Sequence, residues 1–206
     1  MLLLKNGPEN APIKLILAHG AGAPMDSPFM VHFAEKLGAM GIAVVRFEFP
    51  YMQKRRDEGV KKPPDRQPKL LECWREVIEQ EQASGQLLVI GGKSMGGRMA
   101  SLIADEVGVD GLVCLGYPFY APGKMDKPRI EHLADLQCPT LVVQGERDSM
   151  GSKENVSGYS LSSAINLAWL DDGDHSFKPR KKSGLTKEEN WDEGVELTAQ
   201  FLKDLQ

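Results

Sequence analysis

An apolar run, a glycine-flanked serine and a helix-forming segment follow one another within residues 87–100. The serine stands in a G-x-S-x-G pattern that spans Gly92 to Gly96. A serine in this pattern sits on a sharp turn, and the flanking glycines let strand and helix pack closely. The new helix also directs its N-terminal N–H groups toward the turn. The pattern therefore predicts a strand, a tight turn at Ser94 and a helix.

The rest of the chain repeats this alternation. Near-continuous apolar runs bounded by Gly, Pro or charged residues are typical of parallel strands covered on both faces. The predicted strands are 13–18, 42–47, 87–90, 111–115, 140–144 and 165–170. The predicted helices are 28–40, 69–84, 95–107, 153–163 and 186–204. This order predicts a doubly wound, mostly parallel α/β sheet in a single domain over residues 1–206.

Two stretches interrupt the alternation and are predicted to be loops. Residues 52–69 are rich in charge and proline, and residues 116–129 hold three prolines. Both follow predicted strand ends, where open α/β sheets bind ligands, so each is either part of a site or a solvated connection. Basic residues cluster within 54–69 and again at 178–182. If both clusters flank a site they favour an anionic substrate or partner, and otherwise they are solvated surface.

Composition excludes several classes of protein. The net charge of −4 argues against a nucleic-acid binder. No apolar run approaches the roughly 18 residues of a membrane span, and the apolar start of the chain is too short for a signal peptide. The cysteines are scattered, without metal-ligand spacing, which predicts a cytoplasmic protein with no disulfide framework and a buried Cys114. They are Cys73, Cys114 and Cys138.

If Ser94 is a nucleophile, it needs a histidine base and a carboxylate that orients the histidine. For this kind of turn the expected chain order is Ser, Asp or Glu, then His. Two carboxylates, Glu146 and Asp148, come just after the predicted strand 140–144, and His175 comes just after the next strand. Acid and base thus rise from neighbouring strand ends, in the required order.

A reacting carbonyl also needs N–H donors for its oxygen. One donor is the N–H of Met95, the residue after the nucleophile. The second is expected in the small-residue loop after strand 13–18, where we choose Ala21, with Gly20 or Gly22 as alternatives. The aromatic set that follows strand 111–115 either lines an acyl pocket or packs in the core: Tyr117, Phe119 and Tyr120.

Other interpretations of these motifs are weaker. A phosphate-binding P-loop requires glycine at position 87, which is leucine. The dinucleotide fingerprint lacks its third glycine, because position 25 is methionine. We therefore expect no nucleotide, other cofactor or metal. Among the other histidines, His19 at a strand end is expected to anchor its loop, while His32 and His132 are expected to be structural or solvated. The aspartates before His175 either raise its pKa or cap a turn: Asp171, Asp172 and Asp174.

The motifs HGAGA, GKSMGG, GERD and GDHSF together resemble the α/β-hydrolase superfamily, above all its small dienelactone-hydrolase-like members without a cap domain. The chain is also similar to predicted hydrolases that include a hydrolase-like subunit of a histone-acetylating complex. The resemblance implies Ser94 as nucleophile, Asp148 rather than Glu146 as acid and His175 as base. It further implies an open site, little room for the usual N-terminal hairpin, and no cap at 116–129.

These observations predict a serine hydrolase that acts on a small acyl substrate, an ester, thioester or activated amide. Two alternatives remain at this stage. One is an interaction module of the same fold with an unused triad, because fold does not fix function. The other is a small peptidase, although no P1 pocket is marked in the sequence. The oligomeric state is left open.

Overall fold

The computed structural model of the protein describes residues 2–82 and 85–206. Its strands are β1 (Leu3–Asn6), β2 (Ile13–Ala18), β3 (Ala43–Phe47), β4 (Leu87–Lys93), β5 (Gly111–Leu115), β6 (Thr140–Gly145) and β7 (Ile165–Leu170). They form one sheet in the order β1-β3-β2-β4-β5-β6-β7. Strands β2 to β7 pair in parallel, whereas β1 pairs antiparallel with β3 at the edge. The mostly parallel sheet was predicted.

All six predicted strands are present, with small shifts at their ends. Strand β1 was not predicted, because the apolar start of the chain was considered only as a signal peptide and just two of the four residues of the strand are apolar. Its register places Leu3 opposite Phe47 and Asn6 opposite Val44. The expectation about the N-terminus is corrected accordingly: the short segment before β2 does contribute a strand, but that strand pairs with β3 and forms no hairpin with β2.

The described residues also form α1 (Pro28–Ala39), α2 (Pro50–Glu58), α3 (Gln67–Glu81), α4 (Met95–Ser101), α5 (Ala104–Val107), α6 (Lys153–Val156) and α7 (Lys187–Asp204). Helices α1 and α7 contribute Phe33 and Val195 to an apolar cluster on one face of the sheet. Helices α3 and α4 contribute Trp74 and Met99 to the cluster on the other face. The sheet is thus covered on both sides, which confirms the doubly wound prediction.

One loop prediction and two helix predictions require correction. Residues 52–69 are not one loop, since α2 and the start of α3 lie there. Helix α2 begins at Pro50 and ends at Glu58, and Gly59, with φ 67°, caps it. The helix buries only Tyr51 and Met52 and so lacks an apolar stripe. The predicted helix 95–107 is broken into α4 and α5, and 153–163 contains only the short α6. The predicted end of α3 at residues 83–84 lies outside the described residues.

The carboxyl ends of β2, β4, β6 and β7 meet at one edge of the sheet, as parallel strands require. Between β5 and β6 the chain forms only turns and a short 3₁₀ turn at Glu131–Leu133, so this connection contains no cap domain. None of the helices in the described part of the chain combines the length and apolar character that a membrane crossing requires.

Candidate active site

Ser94 occupies the turn between β4 and α4. Its backbone has φ 52° and ψ −115°, a conformation that residues other than glycine rarely adopt. A Cβ on Gly92 would lie 2.2 Å from the carbonyl oxygen of Ala18, and a Cβ on Gly96 would lie 2.5 Å from the same oxygen. The tight turn predicted from the sequence is therefore present, and it holds Ser94 in a strained conformation at the end of β4.

A continuous chain of hydrogen bonds joins residues from three strand-end loops. His175 Nε2 lies 2.9 Å from Ser94 Oγ, and His175 Nδ1 lies 2.7 Å from Asp148 Oδ2. An ionised carboxylate only accepts, so Nδ1 carries the proton and Nε2 accepts from the serine hydroxyl. Asp148 is fully buried, whereas 24% of the His175 side chain is exposed. The structure thus brings together the serine, the acid and the base singled out in the sequence.

The carboxylate of Asp148 is held in one orientation by two further donors. Gln144 Nε2 donates to Oδ2 at 2.8 Å, and the backbone N–H of Met150 donates to Oδ1 at 2.8 Å. The alternative acid, Glu146, instead forms an ion pair with Lys153 at 2.7 Å. Gln144 was missed by the sequence analysis, since it lies inside the apolar strand β6 and carries no motif.

The loop after β7 is shaped by its aspartates. Asp174 Oδ1 accepts from the backbone N–H groups of Ser176 and Lys178, at 2.8 and 3.0 Å. Asp172 accepts hydrogen bonds from the Arg180 guanidinium, which hold the pKa of Asp172 at about 2. Both aspartates thus cap and brace the turn, which is one of the two roles considered from the sequence.

The loop after β2 lies beside the reaction centre, since a Cβ on Gly20 would be 3.7 Å from Ser94 Cβ. His19 fixes the start of this loop. Its Nδ1–H donates to the Gly20 carbonyl at 2.6 Å, and its Nε2 accepts from the N–H of Phe49 at 3.1 Å. Burial lowers the pKa of His19, in agreement with the neutral ring that these two bonds require. His19 anchors the loop, as predicted.

Tyr51 on α2 holds the next peptide of this loop by donating to the Ala21 carbonyl at 2.9 Å. A trans peptide directs its carbonyl and N–H in opposite directions, so the bonds to the Gly20 carbonyl turn the Ala21 N–H away from those donors. The N–H of Met95 is the first of α4 and has no acceptor within the helix. Ala21 and Met95 both border the pocket that contains Ser94.

Lys93 belongs to the site, although its role was not predicted from the sequence, where it counted only as part of a possible P-loop. Its Nζ donates to the His175 carbonyl at 2.5 Å and lies 5.5 Å from the ring centroids of Phe29 and Phe177. Burial lowers the pKa of Lys93 to about 8, against the opposing attraction of Asp148. A cation therefore braces the backbone of the histidine loop from inside the molecule.

Comparison with known proteins identifies the family of the chain. A family model described as an alpha/beta hydrolase domain matches residues 11–203. The chain belongs to the alpha/beta hydrolase family. The resemblance inferred from the motifs is thereby confirmed at the level of the family.

Solved structures of low identity share the fold of this alpha/beta hydrolase. One is an alpha-beta serine hydrolase homologue from Coxiella burnetii, with 20% identity, coverage of 99% of this chain and 91% of that chain, and a TM-score of 0.66. Another is a serine hydrolase without lid from Xanthomonas campestris, with 21% identity, coverage of 94% and 87%, and a TM-score of 0.66. A third is a dienelactone hydrolase from Anabaena variabilis, with 19% identity, coverage of 98% and 91%, and a TM-score of 0.69.

The pocket of this alpha/beta hydrolase opens above Ser94 and has a volume of about 930 Å³. Much of its wall is apolar, with side chains that include Phe29, Met30, Leu70, Met95, Met99, Met150 and Trp191. The predicted aromatic set does not line it. Tyr117, Phe119 and Tyr120 are buried in the core, so the packing alternative is the correct one.

The cations of the pocket come from neither predicted basic cluster. Residues 54–69 and 178–182 contribute no basic side chain to its lining. Arg56 pairs with Asp26 and Glu48, and Arg180 pairs with Asp172, so these two charges are bound elsewhere. The lining of the pocket thus gives no support to an anion-binding role for the two clusters, and that hypothesis stays a prediction. The cations that do line the pocket are Lys93, Arg98, Arg129 and Lys187.

The remaining histidines of this alpha/beta hydrolase have other partners. His32 Nε2 bonds to Asp192 at 2.7 Å, and His132 Nε2 bonds to Ser101 at 2.9 Å. Among residues 2–82 and 85–206, no group of three or more His, Cys, Asp or Glu side chains is arranged to hold a metal ion. The cysteines, including Cys114, are buried and unpaired.

Proposed function

We propose that this alpha/beta hydrolase is a serine hydrolase that cleaves esters or thioesters of small acyl groups. The observation that carries the proposal is the hydrogen-bond chain from Asp148 through His175 to Ser94. Serine, base and orienting acid in this geometry are what nucleophilic acyl transfer requires. The family and the solved relatives described as serine hydrolases support the same reaction class.

In the first half-reaction His175 Nε2 takes the proton of Ser94 as Oγ attacks the acyl carbon. The carbonyl electron pair moves onto oxygen, where the N–H groups of Ala21 and Met95 donate to it. The carbon–heteroatom bond then breaks, and His175 returns the proton to the leaving alcohol or thiol. Asp148 keeps the imidazole in the required tautomer throughout.

In the second half-reaction water attacks the acyl-enzyme. His175 takes the proton from this water, the acyl–Ser94 bond breaks, and the proton returns to Oγ. The products are the carboxylic acid and the alcohol or thiol, so ester plus water balances without a cofactor. The hydrogen-bond chain from Asp148 through His175 to Ser94 therefore serves both half-reactions.

Labelling with a fluorophosphonate tests the nucleophile directly. The wild-type protein should gain one adduct, which intact mass and peptide mapping place on Ser94. Ser94→Ala should gain none. Ser27→Ala is the matched control, because Ser27 lines the same pocket and its side chain makes no cap hydrogen bond to α1. It should keep the adduct.

Absence of an adduct in folded wild-type protein would overturn the hydrolase proposal and favour the interaction module. If the adduct forms, turnover of matched ester, thioester and peptide substrates then separates an esterase from a peptidase. A likeness to the hydrolase-like subunit of a histone-acetylating complex stays a prediction, as does a cytoplasmic location.

A further inference from the structure

Two arginines in the pocket wall make no ion pair. Arg98 and Arg129 both line the pocket, and neither side chain has a carboxylate partner or a hydrogen bond among the residues the structure describes. The other two lining cations are engaged, since Lys93 donates to a backbone carbonyl and Lys187 pairs with Glu188. The arginines thus differ from the other two cations that line the pocket, each of which has a partner.

The Nε of Arg98 is buried and has no hydrogen-bond partner. A buried polar group without a partner is costly, and a buried charge more so, unless something pairs with it. Burial lowers the pKa of Arg98, and the positive charge of Arg129 adds to that effect. Glu131 attracts the guanidinium from a distance but forms no ion pair with it. The two arginines thus bring two positive charges to the wall of one pocket, without a carboxylate partner among the described residues.

Both arginines stand on fixed backbone next to the reaction centre. Arg98 lies one helical turn after Ser94, and its N–H donates to the Ser94 carbonyl at 3.0 Å. The Arg129 N–H donates to the Phe119 carbonyl at 2.6 Å, and its carbonyl accepts from the Tyr117 hydroxyl at 3.1 Å. Placement on fixed backbone is characteristic of a binding group rather than a solvated surface charge.

The surroundings select what such a group can bind. The pocket wall contains one carboxylate, Asp65, which pairs with Lys69, and it also includes the apolar side chains of Met99 and Pro118. Arginine binds a carboxylate through two parallel N–H bonds, and a low-dielectric wall strengthens them. The complementary ligand is an anionic group at the end of an apolar chain.

We propose that Arg98 and Arg129 form an anion subsite, which binds a carboxylate that the ester or thioester substrate carries at a distance from the scissile carbonyl. The inference rests on the proposed hydrolase function and narrows its substrate class to acidic esters, such as monoesters of dicarboxylic acids. The carboxylate belongs either to the acyl group or to the leaving group, and the two sources are separated by experiment.

The test compares two matched pairs of esters. The mono-4-nitrophenyl ester of adipic acid and methyl 4-nitrophenyl adipate differ at the far end of the acyl group, which is a carboxylate in the first and a neutral methyl ester in the second. The hexanoate esters of 4-hydroxybenzoate and of its methyl ester differ in a charge on the leaving-group side. For each pair the measured quantity is the ratio of kcat/KM for the anionic ester over that for the neutral ester.

In the wild-type protein this ratio should exceed one for at least one pair. Arg98→Gln should lower it by about tenfold to a hundredfold, the usual strength of a charge-assisted hydrogen bond, and Arg129→Gln should lower it in the same pair. Lys182→Gln removes an exposed lysine outside the pocket and should leave the ratio unchanged. If neither arginine substitution changes the ratio in either pair of esters, the subsite proposal is overturned. If Arg98→Gln fails to fold, Arg129→Gln alone decides.

A binding measurement keeps this outcome distinct from failure of the hydrolase proposal. Calorimetry with Ser94→Ala should detect monomethyl adipate or the hexanoate ester of 4-hydroxybenzoate, and Ser94→Ala combined with Arg98→Gln should bind that ligand at least about tenfold more weakly. Binding that depends on Arg98, without turnover of any ester by the wild-type protein, would leave the subsite in place and remove the hydrolase. Turnover of neutral esters without Arg98-dependent binding of either ligand would do the reverse.

Discussion

The reaction centre and the wall of the pocket beside it differ in how their polar atoms are satisfied. At the centre Ser94, His175 and Asp148 form an unbroken chain, and each oxygen of the carboxylate has a partner. In the wall, Arg98 Nε and Asp65 Oδ2 are buried without partners. Buried polar groups are nearly always paired, but unpaired ones also occur away from the pocket, at Arg46 Nε and Trp74 Nε1. The polar atoms of the centre thus have their partners within the chain, whereas in the proposed subsite a ligand supplies the partner of Arg98.

The largest effect is expected from breaking the centre at its acid. Asp148→Asn keeps the size of the side chain but offers an N–H where His175 Nδ1–H now donates, so the wrong tautomer is favoured. By analogy with other triads, kcat should fall by about 10⁴-fold. Initial rates on a neutral 4-nitrophenyl ester measure this loss. Glu146→Gln, on the same loop but paired with Lys153, is the control and should lose less than about tenfold. Equal losses in the two variants would contradict the assignment of the acid.

The close packing of the turn around Ser94 should be almost as sensitive to substitution. A Cβ on Gly96 would lie 2.5 Å from the Ala18 carbonyl oxygen and 2.7 Å from that of His19, and both are backbone atoms that cannot turn aside. Gly96→Ala should therefore lower the free energy of unfolding by about 3 kcal/mol. Urea denaturation measures the change. Gly22→Ala is the matched control, because nothing lies within 4 Å of its added Cβ. A silent Gly96→Ala would show that β2 and α4 pack less closely than described.

The framework of the site was predictable because it depends on local patterns. Apolar runs predict the six parallel strands, and strand ends bring Ser94, Asp148 and His175 to one edge. Helix α2 was not predicted because only two of its residues are buried, and β1 because only two of its four residues are apolar. The cations of the pocket escaped because charge clustering along the chain does not indicate where long side chains point. Arg98 and Arg129 lie outside the two predicted basic clusters, whereas the clustered Arg56 and Arg180 are bound by carboxylates.

Lys93 lies between the two regions, because it lines the pocket and also holds the His175 carbonyl. Its pKa is lowered from 10.5 to about 8 in the folded state, so folding disfavours the ammonium. The unfolded chain then binds more protons between these two values, and the contribution of Lys93 to stability rises with pH across that window. At 1.36 kcal/mol per unit, reduced for partial solvent contact, the rise is about 2 kcal/mol.

Urea denaturation of wild type and Lys93→Met over this pH range measures the difference directly, since all other titrations cancel. The stability of the wild type relative to Lys93→Met should increase from about pH 8 to about pH 10.5, the ordinary value, and stay level below pH 8. A flat difference across the window would mean that water reaches the ammonium, and that the cation belongs with the solvated charges of the surface.

The smallest effect is expected at Tyr51, which holds the loop after β2 without contacting the reacting atoms. Tyr51 makes no contact with a substrate in the proposed reaction, but its hydroxyl donates to the Ala21 carbonyl at 2.9 Å and lies 3.4 Å from the Gly20 carbonyl, whose peptide carries the Ala21 N–H. Burial raises the pKa of Tyr51, so the hydroxyl remains a donor at any pH of interest. Tyr51→Phe should loosen the proposed oxyanion donor without deleting it. Deletion of such a donor costs about 10²–10³ in kcat, so loosening should cost about tenfold, with KM nearly unchanged. A rise in KM at constant kcat would instead mean that Tyr51 acts on substrate binding. Helix α2 would then belong to the pocket wall and not to the support of the reaction centre.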